Sequence, residues 1–213
     1  SDDIFGGSRV LQYRDPDSNN DFILPYPDLL LLSDSSGRFI DASLNIDDQN
    51  NGNGKICGFS HDASTGDFDN DGDYDIFACN LLLVNDGLGN FEIHQDLDFN
   101  LQQAYGNPMS SLIVDLNNDN YADLVFWNFD NRPNSIPEEG FALVSDGTVN
   151  VDNWTLVELP EGPFGRNHNK FNHAAWGDLN NDGNNDVVVG ITRDLPYYEG
   201  AYVQVLMGDG AGN

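Results

Sequence analysis

"GDFDNDGDYDIFACN" (66–80) places five aspartates in nine positions, Asp67 to Asp75, and then turns abruptly apolar. Five carboxylates this close repel one another unless a cation lies among them. Laid against itself, the chain repeats the stretch twice, as "VDLNNDNYADLVFWN" (114–128) and "GDLNNDGNNDVVVGI" (177–191). Each copy fits D-x-[DN]-x-D-[GN]-x-x-D followed by a run rich in β-branched and aromatic residues. Such short runs read as buried strands.

A second element travels with the first. "LLLVNDGLGNF" (81–91) and "VQVLMGDGAGN" (203–213) follow the first and third acidic runs, and "LLLLSDSSGRF" (29–39) and "ALVSDGTVN" (142–150) are further copies. Upstream of position 29, "DPDSNND" (15–21) is a degenerate acidic run. The unit reads as strand, acidic loop, strand, variable loop, strand, Gly-rich turn, strand. Its starts at 15, 67, 115 and 178 recur every ~50–60 residues, a period that suits four-stranded propeller blades as readily as any other repeat. Helical periodicity is nearly absent.

Composition limits the partners. Acidic residues outnumber basic ones 36 to 8, for a formal charge of −28. Nucleic acid and anionic membranes are therefore poor partners, because binding to them begins with clustered Lys and Arg. At 39% hydrophobic and 11% aromatic residues the chain is too apolar for a disordered acidic tail. No apolar run approaches the roughly 18–20 residues that span a bilayer, so direct membrane insertion is not expected. Cys57 and Cys79 fit a disulfide or two buried thiols equally well.

The acidic loop has the makings of a metal site. Side chains at positions 1, 3, 5 and 9 converge if the backbone turns tightly at position 6, where Gly72, Asn120 and Gly183 stand. Gly and Asn tolerate the left-handed conformation such a turn needs. Oxygen-only donors on a flexible loop suit Ca²⁺ better than Mg²⁺. Asn117 and Asn180 at position 3 keep the oxygen and lower the charge, and the carbonyls of Asp73, Tyr121 and Asn184 at position 7 are candidate backbone ligands. An EF-hand is excluded: it needs an acid at position 12 and a helix after it, whereas Ala78, Phe126 and Val189 stand there inside strands.

These repeats resemble the FG-GAP/VCBS family, the integrin-α-like calcium-binding β-propellers, over most of the chain. The resemblance implies an all-β fold for residues 1–213: a β-propeller of four-stranded antiparallel blades, about four of them here, within a larger ring. It implies three calcium sites: Asp67, Asp69, Asp71 and Asp75; Asp115, Asn117, Asp119 and Asp123; and Asp178, Asn180, Asp182 and Asp186. A fourth, weaker site falls on Asp15, Asp17 and Asn19, where position 9 is Ile23. Three ions would bring the charge from −28 to about −22, two charges each. The implied function is an adhesion or ligand-binding module, secreted or at the cell surface, with a protein or glycan ligand. Its other partners are the rest of the ring or neighbouring chains, since "GDGAGN" (208–213) stops where the repeat expects a final strand. The rivals are a structural subunit of a surface filament or layer, and the propeller of a carbohydrate-active enzyme.

No catalytic constellation is visible: G-x-S-x-G, H-E-x-x-H and the P-loop pattern are all missing. His61 and His173 precede their loops at similar distances and read as packed first-strand residues rather than ligands. The few basic residues gather in long variable loops with aromatics. Phe129, Arg132, Arg166, Lys170, Arg193, Tyr197 and Tyr198 mark a candidate ligand face, opposite the acidic loops because successive strands alternate direction. Plain solvated loops explain them equally well.

Overall fold

Short apolar runs broken by Asp, Asn and Gly give strands and tight turns, and the computed structural model is built of little else. It describes residues 4–6, 12–14, 21–23, 29–34, 36–47, 62–78, 81–94, 107–129, 140–165, 169–193 and 200–212. Strands β1 (Ile4–Gly6), β2 (Gln12–Arg14), β3 (Asp21–Ile23), β4 (Leu29–Ser33) and β5 (Phe39–Asp41) come first. A one-turn 3-10 helix (Ser43–Asn45) leads to β6 (Ile46–Asp47), then β7 (Ala63–Gly66), β8 (Asp75–Ala78), β9 (Leu81–Asn85) and β10 (Phe91–Ile93). The third group is β11 (Asn107–Val114), β12 (Asp123–Phe129), β13 (Gly140–Val144) and β14 (Thr155–Glu158). Last come β15 (Asn169–Gly177), β16 (Asp186–Arg193) and β17 (Ala201–Leu206). Among the described residues there is no α-helix.

The chain is all-β, with several antiparallel sheets and none closed. β7 to β10 and β11 to β14 are four-stranded meanders in sequence order, as the repeat requires, and β15 to β17 form a three-stranded one. Two pairings depart from it. β6 adds to the outer edge of the second sheet parallel to β10, with Ile46 opposite Phe91. In the first sheet β1 lies beside β4, where the repeat calls for β3, and among the described residues β3 pairs with β2 alone. β2 and β3 still flank residues 15–20 as a hairpin. Asp15, Asp17 and Asn19 themselves lie outside the described residues.

Sheets stack face to face, which is why their middle strands are apolar on both sides. Along β12, Leu124 and Phe126 face the second sheet in one cluster with Phe77 and Leu82. Val125 and Trp127 face the fourth sheet in another, with Val187, Val189 and Ile191. Alternation with period two then yields a continuous apolar run, the mark of a strand buried on both faces. A third cluster joins Leu30, Ala42 and Ile46 to Ile76, Leu83 and Phe91. The first strands of three sheets come together, with β11 between β7 and β15. On the far side of the fourth sheet Val203 and Val205 are 66% and 47% exposed.

Candidate metal centre

The three acidic loops share one hydrogen-bond pattern. The position-1 carboxylate accepts from the N–H groups of positions 5 and 6: Asp67 from Asp71 and Gly72, both at 3.1 Å; Asp115 from Asp119 and Asn120 at 3.2 and 2.9 Å; Asp178 from Asp182 and Gly183 at 3.1 and 3.0 Å. The position-5 carboxylates of Asp71, Asp119 and Asp182 accept from the N–H of position 7, in Asp73, Tyr121 and Asn184, at 2.8–3.0 Å. Two left-handed residues make the coil tight enough: Asn70, Asn118 and Asn181 at position 4 (φ 60–61°), and Gly72, Asn120 and Gly183 at position 6 (φ 98°, 71° and 89°).

Position 9 anchors the loop to the sheet. Asp75, Asp123 and Asp186 are wholly buried. One oxygen of each accepts from position 2, in Phe68, Leu116 and Leu179, at 2.7–2.8 Å. The other accepts from a residue at or just past the end of the third strand: Asn85 at 2.9 Å, Ser145 at 2.8 Å and Gly208 at 2.9 Å. Burial pushes Asp75 and Asp123 up to about 6, against those hydrogen bonds. A buried carboxylate near other carboxylates calls for a positive charge.

This contact also explains why acidic loop and Gly-rich turn recur together. The position-7 side chains lie against the turn glycines: Asp73 on Gly87, Tyr121 on Gly147 and Asn184 on Gly210. Each turn is closed by an aspartate whose Oδ1 accepts from the N–H two residues on. Asp34, Asp86, Asp146 and Asp209 do this for Ser36, Leu88, Thr148 and Ala211 at 2.8–3.0 Å.

The loops differ at position 3. Asn117 and Asn180 donate Nδ2 to Asp119 and Asp182 at 2.9 and 2.8 Å, binding the loop to itself. Asp182 is held below the usual carboxylate range by the Asn184 N–H and then by Asn180. Asp69 has no such option. Its Oδ1 is buried and has no hydrogen-bond partner. Burial first, and the charge of Asp71 second, push its carboxyl up. Asp67, Asp69 and Asp71 bring carboxylate oxygens within 4.8 Å of one another, the one such triad among the described residues. All-oxygen donors and an unpartnered buried oxygen fit a hard dication. The second and third loops also touch: Asn118 Nδ2 donates to Asn184 Oδ1 at 2.8 Å, and Asn185 Nδ2 to the Asp115 carbonyl at 2.7 Å.

Of the candidate ligand face, three positions are described in the backbone. Phe129 is opposite Asn107, Lys170 opposite Thr192 and Arg193 opposite Asn169, all at strand ends away from the acidic loops. Arg193 is exposed, its guanidinium carbon 5.8 Å from the centre of the Phe164 ring, which meets Tyr202 edge-on at 5.3 Å. Phe164 and Tyr202 escaped the sequence reading because they lie far apart along the chain. Arg132, Arg166, Tyr197, Tyr198, His61, Cys57 and Cys79 lie outside the described residues. His173, expected to pack, is instead 85% exposed in its side chain, with Nδ1 3.9 Å from Asp62 Oδ1. No helix is long and apolar enough to cross a membrane among the described residues.

Compared with known proteins, the chain matches no protein-family model and no curated protein sequence.

Proposed function

We propose that this chain is a calcium-stabilised β-propeller segment of the FG-GAP/VCBS type, serving outside the cell as an adhesion or ligand-binding module. Meanders stacked face to face, with β7, β11 and β15 side by side, support the propeller. The exposed apolar face of the fourth sheet suits a further sheet, from the rest of the ring or a neighbouring chain. Calcium would be structural, holding hairpins that position the longer loops at the opposite strand ends. Those loops, with Arg193, Phe164 and Tyr202 at one of them, offer aromatic area and donors to a protein or glycan.

The unpartnered Asp69 oxygen within the carboxylate triad carries the metal reading. Calcium titration by calorimetry tests it, with three ions expected per chain and one fewer after Asp69→Ala, Asp119→Ala or Asp182→Ala. Unchanged stoichiometry in all three variants would defeat it.

A further inference from the structure

A groove of about 380 Å³ runs along the first strands β7, β11 and β15. Its floor is polar and tied together. Asp62 Oδ2 accepts from the Ser111 N–H and, at 3.0 Å, from its hydroxyl, and Ser111 Oγ lies 3.0 Å from Ser64 Oγ. Asp62 is nearly buried, with 13% of its side chain exposed, and burial pushes its carboxyl up despite these bonds. Its Oδ1 comes 3.9 Å from His173 Nδ1, beyond hydrogen-bond reach. A hydroxyl lying over both would bond to each.

His173 is exposed because β15 bulges. The register with β16 shifts between Phe171 and Ala174, and such a shift re-aims side chains. Trp176 lines the same groove and is 51% exposed, whereas Trp127 and Trp154 are buried. An indole half open to water beside a fixed cluster of donors and acceptors offers a ligand a stacking face and hydrogen bonds together.

The chemistry of the walls selects the ligand. Among the described residues no Lys or Arg lines the groove and Asp62 does, which disfavours carboxylates, sulfates and phosphates. A simple cation would use the carboxylate and the indole but gain nothing from the imidazole beside them. A neutral ring bearing hydroxyls on its edge and C–H groups on its face satisfies all of them. We infer that this groove binds a neutral hexose unit of a glycan, its face on Trp176 and its hydroxyls on Asp62 and His173. The volume falls within the range of small-ligand pockets. The site rests on the first strands alone and stands or falls apart from the calcium reading.

The test is titration of the protein, in calcium buffer, with methyl glucoside, galactoside and mannoside, followed by tryptophan emission and saturation-transfer NMR. At least one hexoside should perturb the emission and show transfer. Trp176→Ala should abolish the emission change and weaken binding roughly tenfold or more, the scale for losing an aromatic anchor. Trp176→Phe, which keeps a stacking face, should retain transfer, and His173→Ala should weaken it. Melting midpoints of all three variants should match wild type, since both residues are exposed. Failure of every hexoside to bind overturns the proposal. So does wild-type affinity in Trp176→Ala, or binding of tetramethylammonium or methyl galacturonide in place of the neutral sugars.

Discussion

Asp75, Asp123 and Asp186 commit both oxygens to backbone N–H groups, while Asp69 keeps a buried oxygen unbonded. That contrast separates two positions the spacing alone treats alike: position 9 ties loop to sheet, while the position-3 oxygen of Asp69 is the one left for the proposed ion. It also gives Asp69→Asn opposite effects in two buffers. Without calcium the change removes like-charge repulsion, so the EDTA melting midpoint should hold or rise. With calcium it weakens a ligand, so the midpoint should fall. A fall of equal size in both buffers would mark Asp69 as an ordinary structural residue. Titration adds a second expectation. Asp75 and Asp123 rise from 3.8 to about 6 in the fold, so their protonated forms favour it. Their contribution is complete below pH 3.8 and is lost as pH climbs through about 6. In EDTA the urea midpoint should therefore decline across that window and in calcium it should not; a rising midpoint in EDTA would contradict this. On the acid side, Asp34, lowered to about 2 chiefly by the Ser36 hydroxyl, sets the opposite limit, its contribution full above 3.8 and lost as pH falls through about 2.

Acidic loop and Gly-rich turn behave as one element, joined through the position-9 carboxylate and the glycine under position 7. Two glycines of similar backbone should therefore respond differently. Gly72 (φ 98°) has nothing within 4 Å of where a Cβ would stand, and Asn120 already fills its place in the second loop. Gly72→Asn should cost little. Gly87 (φ 75°) has Asp73 against it. Gly87→Ala should cost about 1–2 kcal/mol from the left-handed backbone alone, and more from the displaced carboxylate. Chemical denaturation in calcium reads both, and equal losses would show that the two loops do not pack as described. These elements were legible in the sequence because their chemistry is local: nine residues fix a loop and five close a turn. The edge pairings were not. Two residues at Ile46 and Asp47, or three at Ile4 to Gly6, carry no pattern that names a partner strand.

Across the whole molecule the sequence spoke through both faces of its middle strands. The run "DLVFWN" (123–128) alternates between two clusters rather than between core and water, so the third sheet needs another on either side, whereas Val187, Val189 and Ile191 of "DVVVGI" (186–191) all enter one of them. The groove along β7, β11 and β15 stayed hidden, because Asp62, Ser111 and Trp176 come from three repeats and share no motif. Aligning the repeats upstream of the loops does place Asp62 and His173 at one position, five residues before Asp67 and Asp178. At this scale the proposal is that a chain of charge −28 folds because cations sit in its hairpins. Binding to the folded state alone stabilises by mass action, and unfolded carboxylates hold no ion in place. The direct measurement is a thermal melt in calcium and in excess EDTA at the same ionic strength. The account predicts a large fall in the midpoint in EDTA, restored by calcium in excess of the chelator and not by sodium at equal ionic strength. An unchanged midpoint would contradict it.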